Sequence, residues 1–285
     1  SAAPEPTDIE WENLGFSLHK KIMIRIRNFF TIIKVFVVCF AALVFLGFIN
    51  GLLAGYMKEH KGDSKLENLS WVLMKLCTLI VVVVDAFLGR KCFELTKQEI
   101  HETKSDYVKI AAFKIGTITF LCSALIGFYS KLAVYLYNIG FSISKFDAAY
   151  LMYSEDQVID LMSEVFILKG LKSFGLNLFN IEYLKKLLAR KKARLTNGKN
   201  ITQEEAHRIF EGEELKMEAR YGNLISLMLM TGFYSGIFPL AIIINIVLLF
   251  LKYWSDKYIF LRRAARPPHL GSQIELAMIY KLKEL

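Results

Sequence analysis

Apolar residues in this chain gather into long blocks, and charged residues collect between them. The blocks run over 29–56, 69–88, 110–137 and 156–188, and a last run extends from Asn223 to Lys252. A helix needs about 20 apolar residues to cross a bilayer, so each of the first four is long enough for one crossing. The last run, roughly 30 residues, is too long for one crossing and too short for two full ones. It is interrupted at Gly236-Ile237-Phe238-Pro239, where Pro239 lacks an N–H and disfavours a helical Phe238. The pattern predicts an all-α, polytopic transmembrane helical bundle of about six membrane helices. The last two, over 223–235 and 238–258, are expected to form a hairpin of short helices with its turn at Gly236 and Pro239, the alternative being a single span kinked there.

Basic residues set the orientation, because cytoplasmic loops carry the excess of Lys and Arg. Lys20, Lys21, Arg25 and Arg27 precede the first block; Arg90, Lys91, Lys97, Lys104 and Lys109 follow the second; Lys185 to Arg194 follow the fourth. The loops at Met57 to Asn68 and Asn138 to Ser154 are poor in net positive charge and fall outside. Folding the last run back keeps Arg262, Arg263 and Arg266 on the cytoplasmic side. The expected organisation is a cytoplasmic lead-in over 1–28, a membrane core over 29–258 with a cytoplasmic linker at 189–222, and a cytoplasmic tail over 259–285. The chain opens on Ser1 without a signal-like segment, which fits a fragment of a longer protein whose tail leads to further helices. In the linker, Thr202 with Glu205 three residues on has the form of a capping box.

Charges inside the blocks narrow the function. Lys34, Lys75, Lys114 and Lys131 lie near block ends, where long stems can carry their ammonium groups to the headgroups. Glu164, Lys169 and Lys172 sit too deep in the fourth block to do the same and must face water or a partner. Asp156, Asp160 and Glu164 recur every four residues and form an acidic stripe on one helical face, of the kind that concentrates cations in a pore. Gly170 and Gly175 bracket Lys172 and offer positions for a gating hinge. The competing interpretation makes this segment an interfacial helix with Asp156 and Asp160 merely solvated. Asp85, near the inner end of the second block, is weaker evidence: a carboxylate within a turn of the interface is tolerable, so a structural and a functional reading both stand.

Composition supports the membrane assignment and removes other classes. Hydrophobic residues make up 54% of the 285, and the net charge of +9 is distributed beside the blocks rather than in one stripe, which argues against nucleic acid as a partner. The four cysteines and five histidines show no metal spacing; the histidines read as solvated loop residues and Cys92 as a loop cysteine. No catalytic triad, phosphate loop or paired carboxylates on a soluble element appear, so no enzyme, cofactor or metal is expected.

Two motifs carry a resemblance. Pro4-Glu5-Pro6-Thr7-Asp8-Ile9-Glu10-Trp11-Glu12-Asn13-Leu14 resembles the segment that enters the channel core of the OSCA family, the hyperosmolality- or stress-gated calcium-permeable cation channels. Tyr234-Ser235 to Pro239, followed by Tyr253-Trp254-Ser255-Asp256-Lys257-Tyr258 and Leu261-Arg262-Arg263, is similar to that family's second signature, which related channels and scramblases share in looser form. The resemblance implies that the first four blocks are the third to sixth membrane helices, that the last run is a seventh–eighth hairpin, and that a glycine-hinged sixth helix lines a pore gated by membrane tension. It also implies kinship in fold with anoctamins and TMC channels, some of which scramble lipids. Lys169 and Lys172 depart from what a cation route calls for. The resulting expectation is a multi-pass protein of the plasma membrane or an endomembrane, a mechanically or osmotically gated channel for K+, Na+ or Ca2+. Its partners are the lipid bilayer, permeating cations and a second copy in a homodimer. The alternatives are a phospholipid scramblase using a polar groove along 156–188, and a scaffold whose basic 185–194 segment holds anionic lipid.

Overall fold

A computed structural model describes residues 6, 8–59, 64–124, 158–178, 181–195, 202–212, 215–236, 239–265 and 279–280. The elements are α1 (Trp11–Leu14), α2 (Leu18–Glu59), α3 (Ser64–Lys97), α4 (Lys104–Ala124), α5 (Val158–Leu178), α6 (Ile181–Leu195), α7 (Gln203–Phe210), α8 (Met217–Tyr234) and α9 (Leu240–Arg262). No strand occurs among the described residues, and the protein is a helical membrane bundle.

The bundle is a row with a second layer. α3 packs between α2 and α4, α4 packs along α8, and α5 bridges α3 and α9. The α4–α8 contact is close because small residues face each other. A methyl on Gly222 would meet Ile115 Cγ2 at 2.8 Å, and one on Gly116 would meet Ile225 Cγ2 at 2.8 Å. Ala112 and Gly116 on α4, with Gly222 and Ser226 on α8, are small residues four apart, the spacing that lets membrane helices approach when lipid supplies no hydrophobic drive. Cys39, Leu43, Val81, Val82, Cys122 and Val165 form the core joining α2, α3, α4 and α5, while Phe166, Met230, Tyr234 and Leu248 join α5 to the hairpin. The outer faces are apolar: Phe29, Phe30, Val37 and Val38 on α2, and Ile243, Ile246, Val247 and Phe250 on α9, are exposed. In water such a belt would drive association; in a bilayer it faces acyl chains.

The structure differs from the sequence expectation at several points. The helix expected over 156–188 is two, α5 ending at Leu178 and α6 starting at Ile181. The hairpin helices are longer than the apolar run, 18 and 23 residues, or about 27 and 35 Å at 1.5 Å per residue. They extend because charge at their open end is paired internally: Arg220 bonds Asp256, and Lys252 Nζ donates to the Arg220 carbonyl at 3.1 Å. Cys92 is buried in α3 rather than in a loop, and His101 is buried rather than solvated. At the hairpin tip, Gly236 follows the end of α8 with open space around its Cα, and Pro239 precedes α9. Asp156, Lys131, the Asn138 to Ser154 loop, Ile237 and Phe238 lie outside the described residues.

At one end of the bundle, the stretch from the end of α3 to the start of α4 holds the segment around Asp8 to Asn13. The Asp8 carboxylate accepts from the Ser105 amide at 3.0 Å, capping the first turn of α4 from outside the helix. Glu10 and Lys104 amides bond the Glu102 and Asp8 carbonyls, Asn13 donates to the His101 carbonyl at 2.9 Å, and Lys21 pairs with Glu102 at 2.7 Å. Lys114 does not extend to the headgroups; it turns back to Glu99, 2.5 and 2.7 Å from the two carboxylate oxygens.

Candidate functional site

α5 has a polar edge in an otherwise apolar bundle, and α3 supplies its partners. Glu164, half-exposed, is ion-paired with Lys75 of α3. On α5, residues 165 and 168 enter the apolar core against α3, and the next turn brings Lys169 beside Asp85. Lys169 Nζ is 3.3 Å from Asp85 Oδ1, 2.9 Å from the Thr119 carbonyl and 2.8 Å from Ser123 Oγ, so its three protons have three acceptors. Lys172 reaches the other oxygen of the same carboxylate, Asp85 Oδ2, at 3.6 Å and the Val82 carbonyl at 3.4 Å. The Lys169 and Asp85 side chains are only 6% and 5% exposed, a burial that ion pairing and hydrogen bonds make tolerable. The Tyr234 hydroxyl approaches the Ser123 and Ala124 carbonyls at 3.0 and 3.1 Å, tying the α8 end of the hairpin to the same stretch of α4.

Three lysines therefore face two carboxylates across the α3–α5 seam. The Lys169–Asp85 part of this set is buried, and the Lys75–Glu164 part is partly exposed. Of the residues singled out in the sequence, Glu164, Lys169 and Lys172 share this seam. Asp160 lies in the first turn of α5. Gly170 and Gly175 both lie within uninterrupted helix. Gly170 faces Leu248 of α9, whose Cδ1 would be 2.3 Å from an added methyl, whereas Gly175 has open space. The sequence reading missed Lys75 as the partner of Glu164 and undervalued Asp85, whose signal was a lone carboxylate in the run Ile80 to Leu88.

The family model described as "Anoctamin: Calcium-activated chloride channel" matches residues 5–275. No curated protein matches the chain. Calcium activation calls for clustered oxygen donors. Among the described residues no group of three or more His, Cys, Asp and Glu could hold a metal ion. On the hairpin, Asp256 is engaged by Arg220. The described residues do not fit a calcium site.

Proposed function

Because the chain belongs to the anoctamin family, whose members are channels and scramblases in the bilayer, we propose that it is the conducting core of an ion channel opened by parting α3 from α5. The observation that carries the proposal is the ion-pair seam of Lys75–Glu164 and Lys169–Asp85–Lys172 between two helices that otherwise touch through apolar side chains. Parting helices under lateral tension exposes this seam to water, and hydration compensates the broken pairs more cheaply than lipid could. In the cation-channel reading, mechanically or osmotically gated, Asp156, Asp160 and Glu164 draw cations from the outer side, and the two end motifs favour that stimulus. The excess lysine of the seam weighs the other way, towards anions. The chain is expected to work as a homodimer.

The full chain in liposomes, patched under graded suction with a KCl gradient, separates these possibilities. Tension-dependent current with a cation reversal potential, lowered by Glu164→Ala, is the expected result. A chloride reversal potential would overturn the cation reading while keeping the channel, and no current at any tension would overturn both. Lipid scrambling is favoured by one observation: Glu164, Lys75 and Lys172 are partly exposed along α5 and α3, a polar edge open to headgroups. Headgroup exchange without ionic current would select it.

A further inference from the structure

α6 begins three residues after the membrane helix α5 ends, and its charge changes abruptly: Lys185, Lys186, Arg190, Lys191, Lys192 and Arg194 stand against a single acid, Glu182. One face of the helix is occupied. Arg190 donates to the Ile209 carbonyl at 2.8 Å and to the Phe210 and Glu211 carbonyls at 3.3 Å, and Lys186 donates to the Glu211 and Gly212 carbonyls at 3.4 and 3.3 Å. These are the C-terminal carbonyls of α7 and the residues just beyond, where cations are favoured. Ala193 is buried on this side, and the Arg263 guanidinium lies 4.2 Å over the Tyr183 ring.

The opposite face is open and differently built. At 100° per residue, Leu184, Leu188 and Leu195 fall within about 40° of one another, with Leu187 beside them. They are 49%, 65%, 77% and 43% exposed, in that order. Exposed Lys185 runs along one margin of this strip, exposed Arg194 along the other, and Lys191 lies within it. We propose that this face lies on the anionic membrane surface, its leucines in the acyl boundary and Lys185, Lys191 and Arg194 on acidic phospholipid headgroups. Charge selects that occupant. Full immersion in acyl chains would strand three cations, and a second copy on the same face would oppose like charges. An acidic headgroup layer satisfies both the leucines and the cations, with the lysine and arginine stems reaching outward from the apolar strip. The basic-loop rule puts this end of the bundle on the cytoplasmic side, where the leaflet is anionic. The inference is independent of whether ions or lipids pass along the α3–α5 seam.

The test attaches an environment-sensitive dye to Leu188→Cys in the full chain, with the unsubstituted chain giving the background, in vesicles of phosphatidylcholine with or without phosphatidylserine. The expected result is a dye embedded and quenched by lipid-borne quencher only when phosphatidylserine is present, and released by salt. Replacing Lys185, Lys191 and Arg194 by Gln should lower the embedded-to-free ratio about fivefold per charge, or about a hundredfold for three. Lys186 and Arg190 stay in place, so the α6–α7 contact is retained; if the triple variant fails to fold, the salt titration of Leu188→Cys alone decides. Equal embedding in phosphatidylcholine alone, or a dye in water in both vesicles, overturns the proposal. So does cross-linking between two Leu188→Cys copies that rises with protein density, which would assign the face to a second protomer.

Discussion

Asp85 holds two lysines with one carboxylate, and its value lies in what its loss would leave behind. Asp85→Ala strands the buried Lys169 ammonium and should cost about 3–5 kcal/mol, seen as a lower thermal unfolding midpoint in detergent. Adding Lys169→Met to Asp85→Ala should recover most of that loss, because the remaining cost is only that of removing a pair. His101 permits a second prediction outside the membrane. Burial pushes its imidazole pKa below the ordinary 6.5, and the Thr96 carbonyl and Glu99 pull it up by less. The folded protein therefore keeps His101 neutral where the unfolded chain already binds a proton. Its contribution is complete above pH 6.5 and is lost as pH falls from there through the lower folded value. Exchange of the Glu10 amide, bonded to the Glu102 carbonyl at 3.0 Å, should quicken beyond its intrinsic pH dependence across that window, and His101→Gln should flatten the effect. Sequence alone showed that Glu164, Lys169 and Lys172 need partners. It could not choose them, because Lys169 and Asp85 are 84 residues apart and Glu164 and Lys75 are 89 apart.

Among the helices, glycines separate packing from bending. Gly222→Ala places a methyl 2.8 Å from Ile115 Cγ2 and 3.2 Å from the Ala112 carbonyl, and backbone cannot retreat as a side-chain tip can. It should destabilise by about 1–3 kcal/mol in thermal unfolding. Gly170→Ala should behave similarly and be relieved by Leu248→Ala, since the clash is with that side chain. Gly175→Ala meets nothing and should stabilise α5 by about 0.5–1 kcal/mol; a raised tension threshold without loss of stability would mark Gly175 as the hinge. The capping box was legible, and the structure forms both of its bonds at the start of α7. The separation of α5 from α6 was missed. Leucine continues through both, so apolar content extended the block, while the crowding of Lys and Arg after Tyr183 served to set orientation and not to end the helix.

At the scale of the whole molecule, conduction along the α3–α5 seam requires those helices to move apart. Val82 and Val165 lie in the buried cluster joining them, so a short bifunctional cross-link between Val82→Cys and Val165→Cys should abolish both current and lipid exchange, with reversal on cleavage. Flux unchanged by the cross-link would put the route elsewhere. The sequence by itself determined the all-α membrane class and the multi-pass location, because block length against bilayer thickness and the need to satisfy every backbone group in lipid leave few alternatives. It also showed that charge lay too deep in one block to reach the headgroups. Only the tertiary structure decided that Lys75 and Asp85 answer that charge, that glycines bring α4 onto α8, and that α6 covers α7 with one face while leaving leucines and cations on the other. Periodicity fixes which residues share a helical face; which face meets which depends on contacts between residues far apart in the chain.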